Sequence, residues 1–256
     1  MKKMMMLALA FLPLAIFSCQ KELVEYESGD IKVSIEQGEN WLHDFPLFLG
    51  IKKKNAPQVA VWIEKTDGTY LSSIYVTHKI ATQSWIAAGG STRKEALPHW
   101  LHARSAQGLP QPTKEQPLTI DAASGATSTG GEPLTDAISG ATPTGSFDVK
   151  LKPGNDLPQQ FVVKVEINQS TDFNNAFPKA AKVGDANYSG GEMGSGQPAL
   201  VYAATVDLTS ESKQYEAVLL GHSSPDGSDG AINTDLSGSG LTTALSIVKS
   251  IKITIQ

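Results

Sequence analysis

The sequence predicts an all-β chain: an immunoglobulin-like β-sandwich with long loops and one or two short helices. Short runs alternate apolar and polar residues with the two-residue period of a half-buried strand. Gly, Pro, Asn and Asp punctuate these runs at short intervals. Helical periodicity is confined to two brief stretches. Roughly eight strands separated by turn residues are the pattern of two sheets packed face to face.

The elements follow in order. Ile31, Val33 and Ile35 alternate with polar residues and predict a first strand. Residues 59–63 (Val-Ala-Val-Trp-Ile) are apolar throughout and read as a central strand. Residues 70–77 form the next, joined to it across Asp67-Gly68, a hairpin signal. Residues 147–151, 161–167, 200–206, 215–220 and 251–255 complete the strands. The helical stretches are 92–104, interrupted by Pro98, and 241–248. Two long segments, 105–145 and 171–196, are rich in Gly, Ser, Thr and Asn and are expected to lie outside a compact core.

A chain of 256 residues has room for one or two domains and for a core that needs no disulfide. The single cysteine excludes an internal disulfide and a cysteine-built zinc or iron–sulfur cage. The formal charge is −5. Such a surface repels phosphate backbones, so nucleic acid is not an expected partner.

Lys2 and Lys3 precede an apolar run, 4–17, broken only by Pro13. That run has the length of a signal-peptide core and is too short for a comfortable membrane span. It ends Ile16-Phe17-Ser18-Cys19, which resembles the bacterial lipobox. The expected organisation is a lipoprotein signal peptide over 1–18, a tether over 19–29, and one β-sandwich domain over 30–256. Cys19 would carry the lipid that holds the protein to the cell envelope. Gln20 in place of Asp favours the outer membrane, on its periplasmic face or at the cell surface.

The loop at 105–145 contains a repeat. Asp-Ala-x-Ser-Gly-Ala-Thr occurs at 121–127 and again at 136–142. Asp, Ser and Gly favour turns for local reasons, so one reading is a duplicated turn. The other comes from a resemblance. The heptapeptide is similar to the sequence on which periplasmic flavin transferases esterify FMN, as in the flavin-bearing subunits of the sodium-pumping quinone reductase and the Rnf complex. That resemblance implies covalent FMN on Thr127, Thr142 or both, with Asp121, Ser124 and Gly125, or Asp136, Ser139 and Gly140, forming the recognised turn. Thr127 sits amid Ser-Thr-Gly-Gly and is favoured if one copy is used, because Pro143 follows Thr142 directly.

A wider resemblance joins residues 56–64, 67–68, 136–149, 196–202 and 221–244. These blocks are similar to a family of bacterial periplasmic proteins known as domain of unknown function 2271. The likeness implies a partner of flavin transferases and of membrane electron-transfer proteins. It gives an electron-transfer component rather than a turnover enzyme, with FMN doing the redox chemistry. The alternative is a flavin-free binding or structural lipoprotein whose loops recognise an envelope partner or glycan.

Other candidates carry less. His99 and His102 lie three apart beside Trp100, but two ligands make no metal site, and none is expected. Residues 226–230 (Asp-Gly-Ser-Asp-Gly) read as a turn and lack the ligand pattern of a calcium loop. Trp41, Trp62, Trp85 and Trp100 read as core or rim aromatics, one of which could stack on an isoalloxazine. The lipobox yields the first prediction. Cys19→Ala should leave the precursor uncleaved by lipoprotein signal peptidase and move the protein off the membrane fraction. A mature terminus elsewhere, without acyl mass, would contradict it.

Overall fold

The period of two read from the sequence places each apolar row on one face. A computed structural model of the chain describes residues 26–46, 49–85, 92–118, 138–140, 143–153 and 156–256. Strand β1 (Ile31–Gln37) turns Ile31, Val33 and Ile35 into the interior and its polar residues outward. A separate hairpin follows, β2 (His43–Pro46) with β3 (Lys52–Asn55). Next come β4 (Gln58–Glu64), β5 (Tyr70–Thr77), α1 (His78–Thr82) and α2 (Pro98–Ser105). The chain continues through β6 (Ile138–Gly140), β7 (Phe147–Leu151), β8 (Gln160–Asn168) and β9 (Leu200–Asp207). It ends with β10 (Gln214–Glu216), β11 (Val218–His222) and β12 (Val248–Ile255). The protein is therefore an all-β sandwich with two short helices.

One sheet has the order β10-β12-β1-β7 and the other β11-β9-β8-β4-β5-β6. Register keeps like with like. Val33 sits opposite Ile253 on one side and Val149 on the other, and Val61 sits opposite Val165. The inner faces of both sheets merge into one apolar core, from Ile31, Val33 and Ile253 to Val61, Phe161, Val165 and Leu200. Each fully buried aliphatic side chain contributes about 1.5–3 kcal/mol, so a one-residue slip of any central strand is strongly disfavoured.

A second apolar cluster lies on the opposite face of the six-stranded sheet. There Ala60, Trp62 and Val76 pack with Ile80 and Ala81 of α1 and Trp100 and Leu101 of α2. Strand β4 is covered on both faces, and every one of its residues is buried. That is why its residues 59–63 are apolar throughout, whereas β1 alternates.

Several elements differ from the sequence expectation. The run 215–220 is two strands, because it crosses the edge of the sandwich. Gln214–Glu216 pairs with β12 in one sheet, and Val218–His222 pairs with β9 in the other. The helix expected over 92–104 starts at Pro98, which lacks an N–H and suits a first helical turn. Residues 241–248 supply only a single 3₁₀ turn, Thr243–Ser246, before β12 begins at Val248. The segment 171–196 is part of the packed body. It closes on itself through a bridge between Asp172 and Gly196, and Phe177 inserts into the core. Gly196 has φ +81°, and a Cβ there would stand 2.4 Å from the Asp172 carbonyl, so this closure requires glycine. The hairpin β2–β3, helix α1 and strand β6 carry no pattern that sequence periodicity separates from loop. Among the described residues no helix is long and apolar enough to cross a membrane.

Candidate functional site

The three described residues of the second copy, 138–140, lie at one end of the six-stranded sheet. Strand β6 contains Ser139 and Gly140 of the second copy and pairs in parallel with β5, with Val76 opposite Ser139 and Thr77 opposite Gly140. A parallel neighbour requires a long crossover, and the intervening chain with α1 and α2 supplies it. Among the described residues β6 is the edge strand of this sheet. Three residues beyond Gly140, the Pro143 carbonyl accepts a 3.0 Å hydrogen bond from Trp41 Nε1. On the entry side, the Leu118 amide donates to the Ala81 carbonyl at 2.8 Å. The segment thus leaves from α1 and returns beside the strand that feeds α1. Of the residues expected at the flavin turn, the structure places the backbone of Ser139 and Gly140. Asp121, Ser124, Gly125, Thr127, Asp136 and Thr142 lie outside the described residues, as does Cys19.

Beside these anchor points α1 ends at Gln83, a buried residue with φ 50°. Its amide organises the turn. Nε2 donates to the Ile80 carbonyl at 2.8 Å, while Oε1 accepts from Trp85 Nε1 at 2.8 Å and from the Arg93 amide at 3.0 Å. Trp85 and Arg93 are thereby held together, with the guanidinium carbon 4.6 Å from the indole centroid. The Lys79 ammonium lies 6.0 Å from the same ring. Burial lowers the Lys79 pKa, and the positive charges of Lys53 and Arg93 lower it further. Burial also lowers that of Arg93, opposed by the charge of Glu95. Positive charge therefore gathers here on a chain whose net charge is negative.

A second polar assembly underlies the helices. Glu166 of β8 is fully buried on the outer face of the sheet. Its carboxyl accepts from the His99 amide at 3.1 Å and the Trp100 amide at 2.8 Å, two of the orphan donors in the first turn of α2. It also meets Ser223 Oγ in a short hydrogen bond. Next to it Lys164 pairs with Glu64 at 2.9 Å and donates to His99 Nε2 at 2.8 Å. An ammonium only donates, so the His99 ring carries its proton on Nδ1, which donates to the Gly230 carbonyl at 2.6 Å. His99 and His102 therefore serve separate loop carbonyls, those of Gly230 and Gly227.

Periodicity does not single out Lys79, Gln83, Arg93 or Glu166. The only available signal was a tryptophan flanked by cations some six to eight residues away, which has no defined spacing. Comparison with family models, curated proteins and solved structures returns no match for this chain.

Desolvation is the largest influence on Glu166. It outweighs the Ser223, Trp100 and His99 hydrogen bonds and raises the pKa from 4.5 to about 7. The folded state then binds a proton that the unfolded state releases. This contribution to stability is complete below pH 4.5 and is lost as pH rises through about 7, amounting to at most about 3 kcal/mol. His99, its pKa lowered by burial and by Lys164, acts in the opposite direction, gaining stability as pH rises. Glu166→Gln leaves His99 in place. Urea denaturation from pH 4.5 to 8 should therefore show wild-type stability falling relative to the variant as pH rises. Parallel curves would contradict the assignment.

Proposed function

We propose that the protein is a cell-envelope lipoprotein that carries FMN esterified to Thr127, Thr142 or both, and acts as an electron-transfer component. The observation that carries this reading is the complete and duplicated Asp-Ala-x-Ser-Gly-Ala-Thr sequence, read with the lipobox at Cys19. A threonine hydroxyl is the group that attachment needs. Its oxygen bonds to the flavin-side phosphorus of a flavin dinucleotide, the pyrophosphate bond breaks, the nucleoside monophosphate leaves, and the hydroxyl proton passes to solvent. The transferase supplies the catalysis; this chain supplies the nucleophile and the turn that is gripped.

The described residues suit such a group. The ends of the repeat-bearing segment, at Leu118 and Gly140, attach beside Lys79, Trp85 and Arg93, a cationic and aromatic neighbourhood compatible with an anionic flavin phosphodiester. Bound flavin would supply reversible two-electron chemistry, and the chain would hold it at one edge of a rigid sandwich. The resemblance to the domain of unknown function 2271 family implies as partners a flavin transferase and a membrane electron-transfer protein.

Co-expression with a flavin transferase, followed by a denaturing gel under ultraviolet light, tests the proposal. The wild type should fluoresce and the double variant Thr127→Val, Thr142→Val should not. Each single variant then reports whether the remaining threonine is used. A dark wild-type band beside an active transferase would leave the flavin-free binding lipoprotein in its place.

A further inference from the structure

Arg93 is 6% exposed, yet among the described residues no carboxylate comes within ion-pair distance of its guanidinium. Glu95 acts on it through space without an ion pair, and is itself buried with a pKa raised chiefly by desolvation. Buried charges are ordinarily paired. Two buried lysines follow that rule: Lys164 meets Glu64 at 2.9 Å and Lys150 meets Asp30 at 2.7 Å. At Arg93 the rule is broken, and two further cations stand close by. Lys79 is half-buried and makes no ion pair among the described residues, and Lys53 on the neighbouring hairpin raises the local positive potential. The indole of Trp85 sits among them, only partly covered. Gln83 fixes indole and guanidinium in advance, so the arrangement exists without a ligand.

A phosphate ester supplies what this cluster lacks. Guanidinium and ammonium groups donate to its oxygens, and a planar aromatic attached to it can lie on the indole or on the guanidinium plane. From Arg93, nine-tenths buried, without an ion pair among the described residues and held against Trp85 beside Lys79, we infer a non-covalent seat for FMN, with its phosphate on Arg93 and Lys79 and its ring system against Trp85. The choice of FMN over other aromatic phosphates rests on the flavin reading; the anionic aromatic character of the ligand rests on these side chains alone. Such a seat would hold the tethered flavin in one orientation, since attachment raises its local concentration far above that of the free ligand.

The test uses mature protein made without a transferase, so that nothing is covalently attached. Free FMN and riboflavin are titrated while flavin and Trp fluorescence are followed. FMN should bind at least about tenfold more tightly than riboflavin, and inorganic phosphate should compete for the site. Added salt should weaken FMN binding and leave riboflavin nearly unchanged, because only the former carries the charge. Lys79→Gln and Arg93→Gln should each reduce FMN affinity toward that of riboflavin, and Trp85→Leu should abolish the change in flavin fluorescence. Lys79→Gln removes a half-buried side chain and keeps the test valid if Arg93→Gln fails to fold. Equal affinities for FMN and riboflavin, or full FMN affinity in Lys79→Gln, would overturn the seat. A fluorescent covalent band with no free-FMN binding refutes the seat alone; free-FMN binding without a covalent band refutes attachment alone.

Discussion

A single buried carboxyl group, that of Glu166, ties the outer layer of this molecule to its sheet. Helix α2 lacks a capping side chain of its own, since Leu97 stands where Ser, Thr, Asp or Asn would serve. Glu166, reaching across from β8, accepts the amides of His99 and Trp100 in its place, and also engages Ser223. With α2 fixed, Trp100 and Leu101 close over Trp62 and Ile80, and α1 is held in the same cluster. Helix α1 in turn gives Leu118 its anchor, while the strand that feeds it pairs with β6. The anchors of Leu118 and β6 therefore depend on a contact made from a strand at the centre of the sheet. Removing one partner of such a buried group leaves the others unsatisfied, which costs more than the bond itself contributes.

The charges divide into two kinds. Beneath α2 they are matched: Lys164 lies between Glu64 and the neutral His99, and Trp62 Nε1 donates to the same Glu64 at 2.7 Å. Beyond α1, among the described residues, they are not, and Arg93, Lys79 and Lys53 share one neighbourhood. Unmatched buried charge costs desolvation that no partner offsets, and groups perturbed in this way cluster at functional sites. The contrast lies within one chain and between clusters on the same side of the sheet, so it does not follow from overall composition.

The sandwich was legible in the sequence because alternation and burial are the same fact seen twice. Ile31, Val33 and Ile35 announce a half-buried strand, and 59–63 announces one covered on both faces. The flat run 215–220 hid a change of sheet, since an edge crossing keeps the strand period while exchanging partners. The start of α2 was half visible in Pro98, but its cap was not, because Glu166 lies far along the chain. The order of 171–196 comes from backbone bonds and a glycine at Gly196, which composition reads as loop. At the site, the heptapeptides were visible as words in the sequence. The cluster around Trp85 was not, because the side-chain amide of Gln83 brings Arg93 to it.

The proposed attachment is a phosphoester bond from Thr127, Thr142 or both to the flavin phosphate. Peptide mass spectrometry of protein taken from the membrane fraction of cells that contain a flavin transferase addresses that bond most directly. Peptides covering 119–146 should carry the mass of FMN less water, with fragment ions placing it on Thr127, Thr142 or both. Unmodified peptides alone, from cells whose transferase labels another substrate, would contradict the account.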